Sequence, residues 1–157
     1  MARISEKNPR YRTKRQIASD IAVILNADIS YGTKYAVLNE VVWVWSEFYG
    51  KHKGCPWISV EAAKVADERA LIHEHVVPKK QLITALFALC DATPDVIYDY
   101  LQSHCIGVLV TKDEDERLRK AKFTSSMPAD WDQEDVWARN KNVGIEVLMR
   151  HTPDDGR

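Results

Sequence analysis

The stretch from Thr33 to Tyr49 constrains the fold more than any other part of the chain. Val37, Val41, Val44 and Phe48 recur at helical spacing, and Leu38, Val42, Trp45 and Tyr49 form a second stripe beside them. With Trp43 added, a helix here is apolar most of the way round. Such a helix has no solvent face of its own, so it belongs at the centre of a core or partly inside an oligomer. Other elements must cover it, or a homodimer must. The chain has 157 residues, enough for one domain and too few for two with independent cores. Apolar residues make up 45% and charged residues 29%, which fits a buried core and argues against bulk disorder.

The remaining periodicities supply the covering elements. Ile17, Ile21, Ile24 and Leu25 predict a helix near Thr13 to Ala27. Gly54-Cys55-Pro56-Trp57 reads as a turn, and Ser59 as the cap of a short helix over Val60 to Asp67. Ala70 to Val77, stopped by Pro78, reads as a strand. A helix follows over Gln81 to Asp91, with Leu82, Leu86 and Leu89 on one face and Cys90 in the core. Thr93-Pro94 opens another helix to about His104, and Cys105 to Val110 is a second strand. Thr111 with Glu114 matches a capping box, and the helix to about Lys122 is acidic first and basic last, as the macrodipole favours. Trp43 and Trp45 read as core. Trp131 and Trp137 read as anchors for the C-terminal segment, Arg139 and Lys141 as a solvated face, and residues 144–149 as strand or helix. The fold class expected is α+β: a mostly helical single domain over 16–150, with a small two-stranded β element followed by a capped helix. Residues 151–157 read as a flexible tail.

Charge narrows the partners. The formal net charge is -1, so the chain as a whole is no polyelectrolyte for nucleic acid. Residues 1–15 differ, carrying Arg3, Lys7, Arg10, Arg12, Lys14 and Arg15 against one acid, Glu6. The stretch reads either as a frayed terminus or as a basic arm in which Arg10, Arg12, Lys14 and Arg15 are candidate phosphate contacts, because clustered cations displace counterions from nucleic acid. No apolar stretch reaches the roughly 20 residues of a membrane helix, and the first residues lack a signal-peptide apolar region, so no membrane partner is expected. Three cysteines, an odd count, argue against a disulfide scaffold and fit a cytoplasmic protein.

One segment carries pointed chemistry: Glu74-His75-Val76-Val77-Pro78. A carboxylate and an imidazole at the end of an apolar strand must each find a partner or they cost free energy. A metal ion satisfies the first and a substrate water the second. His73 shares the strand face of His75 by period-two alternation. No glycine-rich phosphate loop and no nucleophile elbow is present. His52 and Cys55, with His73 and His75, offer zinc-type ligands, but the spacing fits no standard finger.

The pattern acid-His-aliphatic-aliphatic-Pro resembles the first strand of HNH endonucleases, members of the His-Me finger (ββα-metal) superfamily. The order strand, strand, capped helix matches as well, with two helices inserted between the strands. The likeness covers about Leu71 to Pro78 and Ile106 to Lys122, roughly a fifth of the chain. It implies a nuclease in which His75 is the general base on water and Glu74 a metal ligand, with Asp115 or Glu114 supplying a further ligand from the helix. The cofactor implied is a divalent metal ion, Mg²⁺ first, with Mn²⁺ or Zn²⁺ as options, and the partner is nucleic acid. Glu74 and His75, adjacent on a strand, point to opposite faces, so the resemblance requires a bend there. The competing expectation is a non-catalytic helical binding or regulatory protein, an inhibitor or adaptor, in which Glu74-His75 is structural.

Overall fold

The structure is a computed structural model that describes residues 12–152. Arg3, Lys7, Arg10 and residues 153–157 of the tail lie outside the described residues. Among the described residues there are six α-helices: α1 (Lys14–Asn26), α2 (Tyr31–Ser46), α3 (Lys79–Ala88), α4 (Pro94–His104), α5 (Lys112–Lys120) and α6 (Ala138–Asn142). Four short strands join them: β1 (Trp57–Ser59), β2 (Ile72–His75), β3 (Gly107–Val110) and β4 (Val147–Met149). The α+β class and the helical majority expected from the sequence are therefore present. No described helix is long and apolar enough to cross a membrane.

Helix boundaries follow their caps. Thr13 and Gln16 form a capping box on α1, Ser30 accepts from Thr33 N to start α2, and Thr93 with Pro94 starts α4. The central helix thus begins at Tyr31 and ends at Ser46, earlier at both ends than its apolar pattern predicts. Its circumference is covered largely from within the chain. Leu38, Val41, Val42 and Trp45 are buried in one cluster with Ile17 and Ile21 of α1, Leu82 and Ile83 of α3, and Ile97 and Leu101 of α4. Trp43 departs from the core assignment: it is half-buried and turns toward the histidines of β2.

The sheet runs β2-β3-β1-β4. β2 and β3 pair antiparallel, with His73 opposite Leu109, Glu74 opposite Val108 and His75 opposite Gly107. The two-stranded element is thus part of a four-stranded sheet. β1 was hidden in the stretch read as a turn and a capped helix, because three residues behind Pro56 are too few to show alternation. It pairs parallel to β3 and antiparallel to β4, which resolves 144–149 as strand. Ser59 does cap, accepting from Ala62 N at 3.0 Å, but the turn it starts is a three-residue 3-10 segment. Cys90, expected in the core, lies beyond the end of α3 and is exposed; all three cysteines are free thiols.

β2 and β3 are joined through α3 and α4, and α5 follows β3 directly. The start of α5 is pinned by Glu114. Its carboxylate accepts from Thr111 N at 2.8 Å, completing the capping box, and from Ser59 Oγ at 2.6 Å. Glu114 is 2% exposed. Its expected role as a metal ligand is therefore corrected: Oε2 ties the start of α5 to the end of β1, and Oε1 pairs with Arg117 at 3.7 Å. Leu118, one turn on, packs with Val76, Val108, Val110 and Ile145 beneath the sheet. Glu114→Ala should destabilise the fold by about 2–3 kcal/mol, from a lost cap and two buried donors left unsatisfied. The exposed control Lys112→Ala should stay within about 0.5 kcal/mol. Urea unfolding of both variants checks the difference, and equal midpoints would contradict the role given to Glu114.

Candidate functional site

β2 is an edge strand, and this governs the site. Residues that point to opposite faces of an edge strand can both reach a cleft that wraps round its open side. A cleft of about 480 Å³ does so here, lined by His73, Glu74 and His75 of β2. α2 gives one wall through Tyr35, Asn39 and Trp43, and α5 gives the other through Asp115, Leu118 and Arg119. Glu74 and His75 thus share a cleft without the bend that the resemblance required. Pro78, Lys79 and Lys80 close one end, where α3 begins.

The end of β2 is held by a residue the sequence assigned to solvent. Arg139, at the start of α6, is 0% exposed. Its Nε donates to Val76 O at 2.8 Å and its Nη1 to Phe123 O at 2.5 Å. Its Nη2 donates to His75 O and, at 2.5 Å, to Glu74 Oε1. The solvated-face reading of Arg139 is corrected: a planar fork of donors satisfies three carbonyls and a carboxylate together. Lys141 does remain at the surface, paired with Asp135 at 2.8 Å. Nothing in the local sequence marks Arg139, since its partners lie 16 to 65 positions away.

Burial pushes the Glu74 carboxyl up, and the Asp115 charge adds to that, while Arg139 pulls it down. Glu74 and Asp115 are therefore electrostatic neighbours. Both histidines are 4% exposed. Burial lowers His75 to about 3, helped by the charges of His73, Lys79 and Arg139; the Val42 carbonyl opposes this. Burial likewise lowers His73 to about 4, helped by Lys51 and His52. Both rings are neutral near pH 7. His75 Nε2 has no hydrogen-bond partner, so with the ring proton on the Val42 side it is a bare acceptor. Trp43 packs on both rings, 4.7 Å from His75 at 35° and 5.8 Å from His73 edge-on. A Cβ on Gly107 would lie 2.3 Å from His73 Nε2, so glycine here makes room for that ring.

The other expected site residues are dispersed. Lys14 is buried, donates to Gln102 Oε1 at 2.9 Å and lies 4.8 Å from the Tyr49 ring centroid and 5.0 Å from that of Trp45. Its role as a phosphate contact is corrected: α1 starts at Lys14, and aromatic rings enclose the ammonium. Arg15 pairs with Asp95 at 3.0 Å on the surface, and Arg12 is half-buried. Neither lines the cleft, and Arg10 lies outside the described residues. Among the described residues no group of three or more His, Cys, Asp or Glu side chains could hold a metal ion. The zinc-type set of His52, Cys55, His73 and His75 is therefore not assembled.

Compared with known proteins, the chain matches no family model, no curated protein and no solved structure.

The buried imidazoles make stability depend on pH. Both have folded values below the unfolded value of about 6.5, so their contribution is complete above that pH. It is lost on acidification as the unfolded chain takes up protons first, at up to about 1.4 kcal/mol per pH unit for each histidine, until the folded values near 4 and 3 are reached. Glu74, pushed up, acts in the opposite sense. Comparison with His73→Gln isolates the histidine, because Glu74 is common to both proteins. The urea midpoint of the unsubstituted protein should fall between about pH 6.5 and 4, and His73→Gln should flatten that fall. Parallel profiles would contradict a neutral, buried His73.

Proposed function

We propose that the protein hydrolyses phosphodiester bonds of nucleic acid with a divalent metal ion, using the β2-β3-α5 unit in the manner of an HNH-like nuclease. The observation that carries this reading is that Glu74, His75 and Asp115, from a strand and from a helix some 40 positions downstream, line one cleft. An antiparallel strand pair followed by a capped helix is also the arrangement that the resemblance implies.

The residues fit a hydrated ion better than a closed cage. Mg²⁺ gives up its waters reluctantly and is commonly held by one or two carboxylates together with substrate phosphates. Glu74, whose Oε1 also bonds Arg139, and Asp115 would supply such carboxylates from the two sides of the cleft. Mn²⁺ suits the same oxygen donors. When bound, the ion supplies charge stabilisation at the phosphodiester. The chain's own residues do the rest. His75 would serve as the base on water only once the cleft opens, because its Nε2 is buried and burial lowers the ring to about 3. Arg139 fixes the backbone on which Glu74 and His75 stand. Lys79 and Lys80, at the N-terminal end of α3, face the cleft as phosphate contacts. Free thiols accord with action in a reducing compartment such as the cytoplasm.

A second reading has its own support. The guanidinium of Arg139 already satisfies Glu74 Oε1, which is what a buried carboxylate in a non-catalytic binding or regulatory protein requires. Incubation of plasmid DNA and of tRNA with Mg²⁺ or Mn²⁺ separates the two. The nuclease reading predicts metal-dependent cleavage that falls by roughly 100-fold or more in His75→Ala and in Asp115→Asn. Absence of cleavage with either metal, or cleavage equal in His75→Ala, would select the binding reading.

A further inference from the structure

We infer that the cleft takes an unpaired nucleotide, so that the substrate is single-stranded or locally opened nucleic acid; this rests on the reading just proposed. Three observations lead there. The first is depth. The His75 ring lines the cleft but is only 4% exposed, so the cleft floor is recessed. A rigid duplex carries its phosphates on a convex surface and cannot lower one into a recess. An unpaired strand can, because its backbone is flexible and its bases can be splayed out.

The second is the wall opposite Asp115. Tyr35, Asn39 and Trp43 follow at intervals of four along α2 and so lie on one helical face, and all three line the cleft. Tyr35 supplies π-surface for a base, as in proteins that bind single strands, and the Asn39 amide offers one donor group and one acceptor to a base edge, while Trp43 is already packed by His75 and Lys79. In a duplex the Watson–Crick edges are engaged in pairing. The third is size and charge. A cleft of about 480 Å³ is in the range of small-molecule sites, suited to a nucleotide and its neighbours. Lys79 Nζ sits over the Trp43 ring, 5.0 Å from its centroid, and places a cation at the α2 wall for a phosphate.

Fluorescence anisotropy of the full chain in EDTA tests this without cleavage. The probes are labelled oligonucleotides of about 12 nucleotides: single-stranded DNA, single-stranded RNA and a blunt DNA duplex. At least one single strand should bind about tenfold or more tightly than the duplex, and the DNA and RNA arms tell which sugar is preferred. Tyr35→Leu and Asn39→Ala should each weaken single-strand binding roughly 5- to 100-fold with little change in melting temperature. Equal or tighter duplex binding, no binding of either single strand, or unchanged affinity in both variants would overturn the inference. A protein that binds single strands but cleaves nothing would defeat the hydrolytic reading and leave this one standing. One that cuts duplex in preference would do the reverse.

Discussion

The guanidinium of Arg139 is the interaction on which the site depends. It bonds the carbonyls of His75, Val76 and Phe123 and the carboxylate of Glu74, and it joins α6, the segment after α5 and the end of β2 at one point. A fully buried arginine without such partners would be prohibitive to keep charged. With them, it neutralises part of the carboxylate's burial cost and satisfies backbone acceptors just where β2 stops pairing. The cleft then opens beside a fixed strand end.

The edge position of β2 completes the arrangement. Alternation sends His73 and His75 toward Trp43 of α2, and Glu74 toward α5, yet the unpaired side of the strand lets both sets line one cleft. The two sides differ in electrostatics. Toward α2 the imidazoles are desolvated and neutral, while toward α5 Glu74 is raised by burial and partly held down by Arg139. The two sides therefore respond to acid in opposite senses, the imidazoles weakening the fold and Glu74 opposing that.

Much of this was legible in local sequence. Caps announced themselves at Thr13, Thr93 and Thr111, because a hydroxyl three residues before its backbone donor is a short-range pattern. The β2 and β3 strands followed from apolar runs bounded by Pro78 and Thr111, and the histidine pair from period-two alternation. What local sequence did not carry was long-range satisfaction of polar groups. Glu114 read equally as cap and as ligand until Ser59, 55 positions away, took its second bond. Lys14 read as part of a basic arm because the rings of Trp45, Phe48 and Tyr49 are remote in sequence. β1 and β4, three residues each, were too short to show a period, and Arg139 had no signal at all.

The Arg139 clamp is tested most directly by a double-mutant cycle on unfolding free energy, using Arg139→Met, Glu74→Gln and the double variant. If the guanidinium holds Glu74 at the cleft, the two substitutions should couple by about 2 kcal/mol or more, with the double variant less unstable than the sum of the singles. Additivity within about 0.5 kcal/mol would mean that the carboxylate and the guanidinium do not depend on each other, and the account of how the strand end is held would fail.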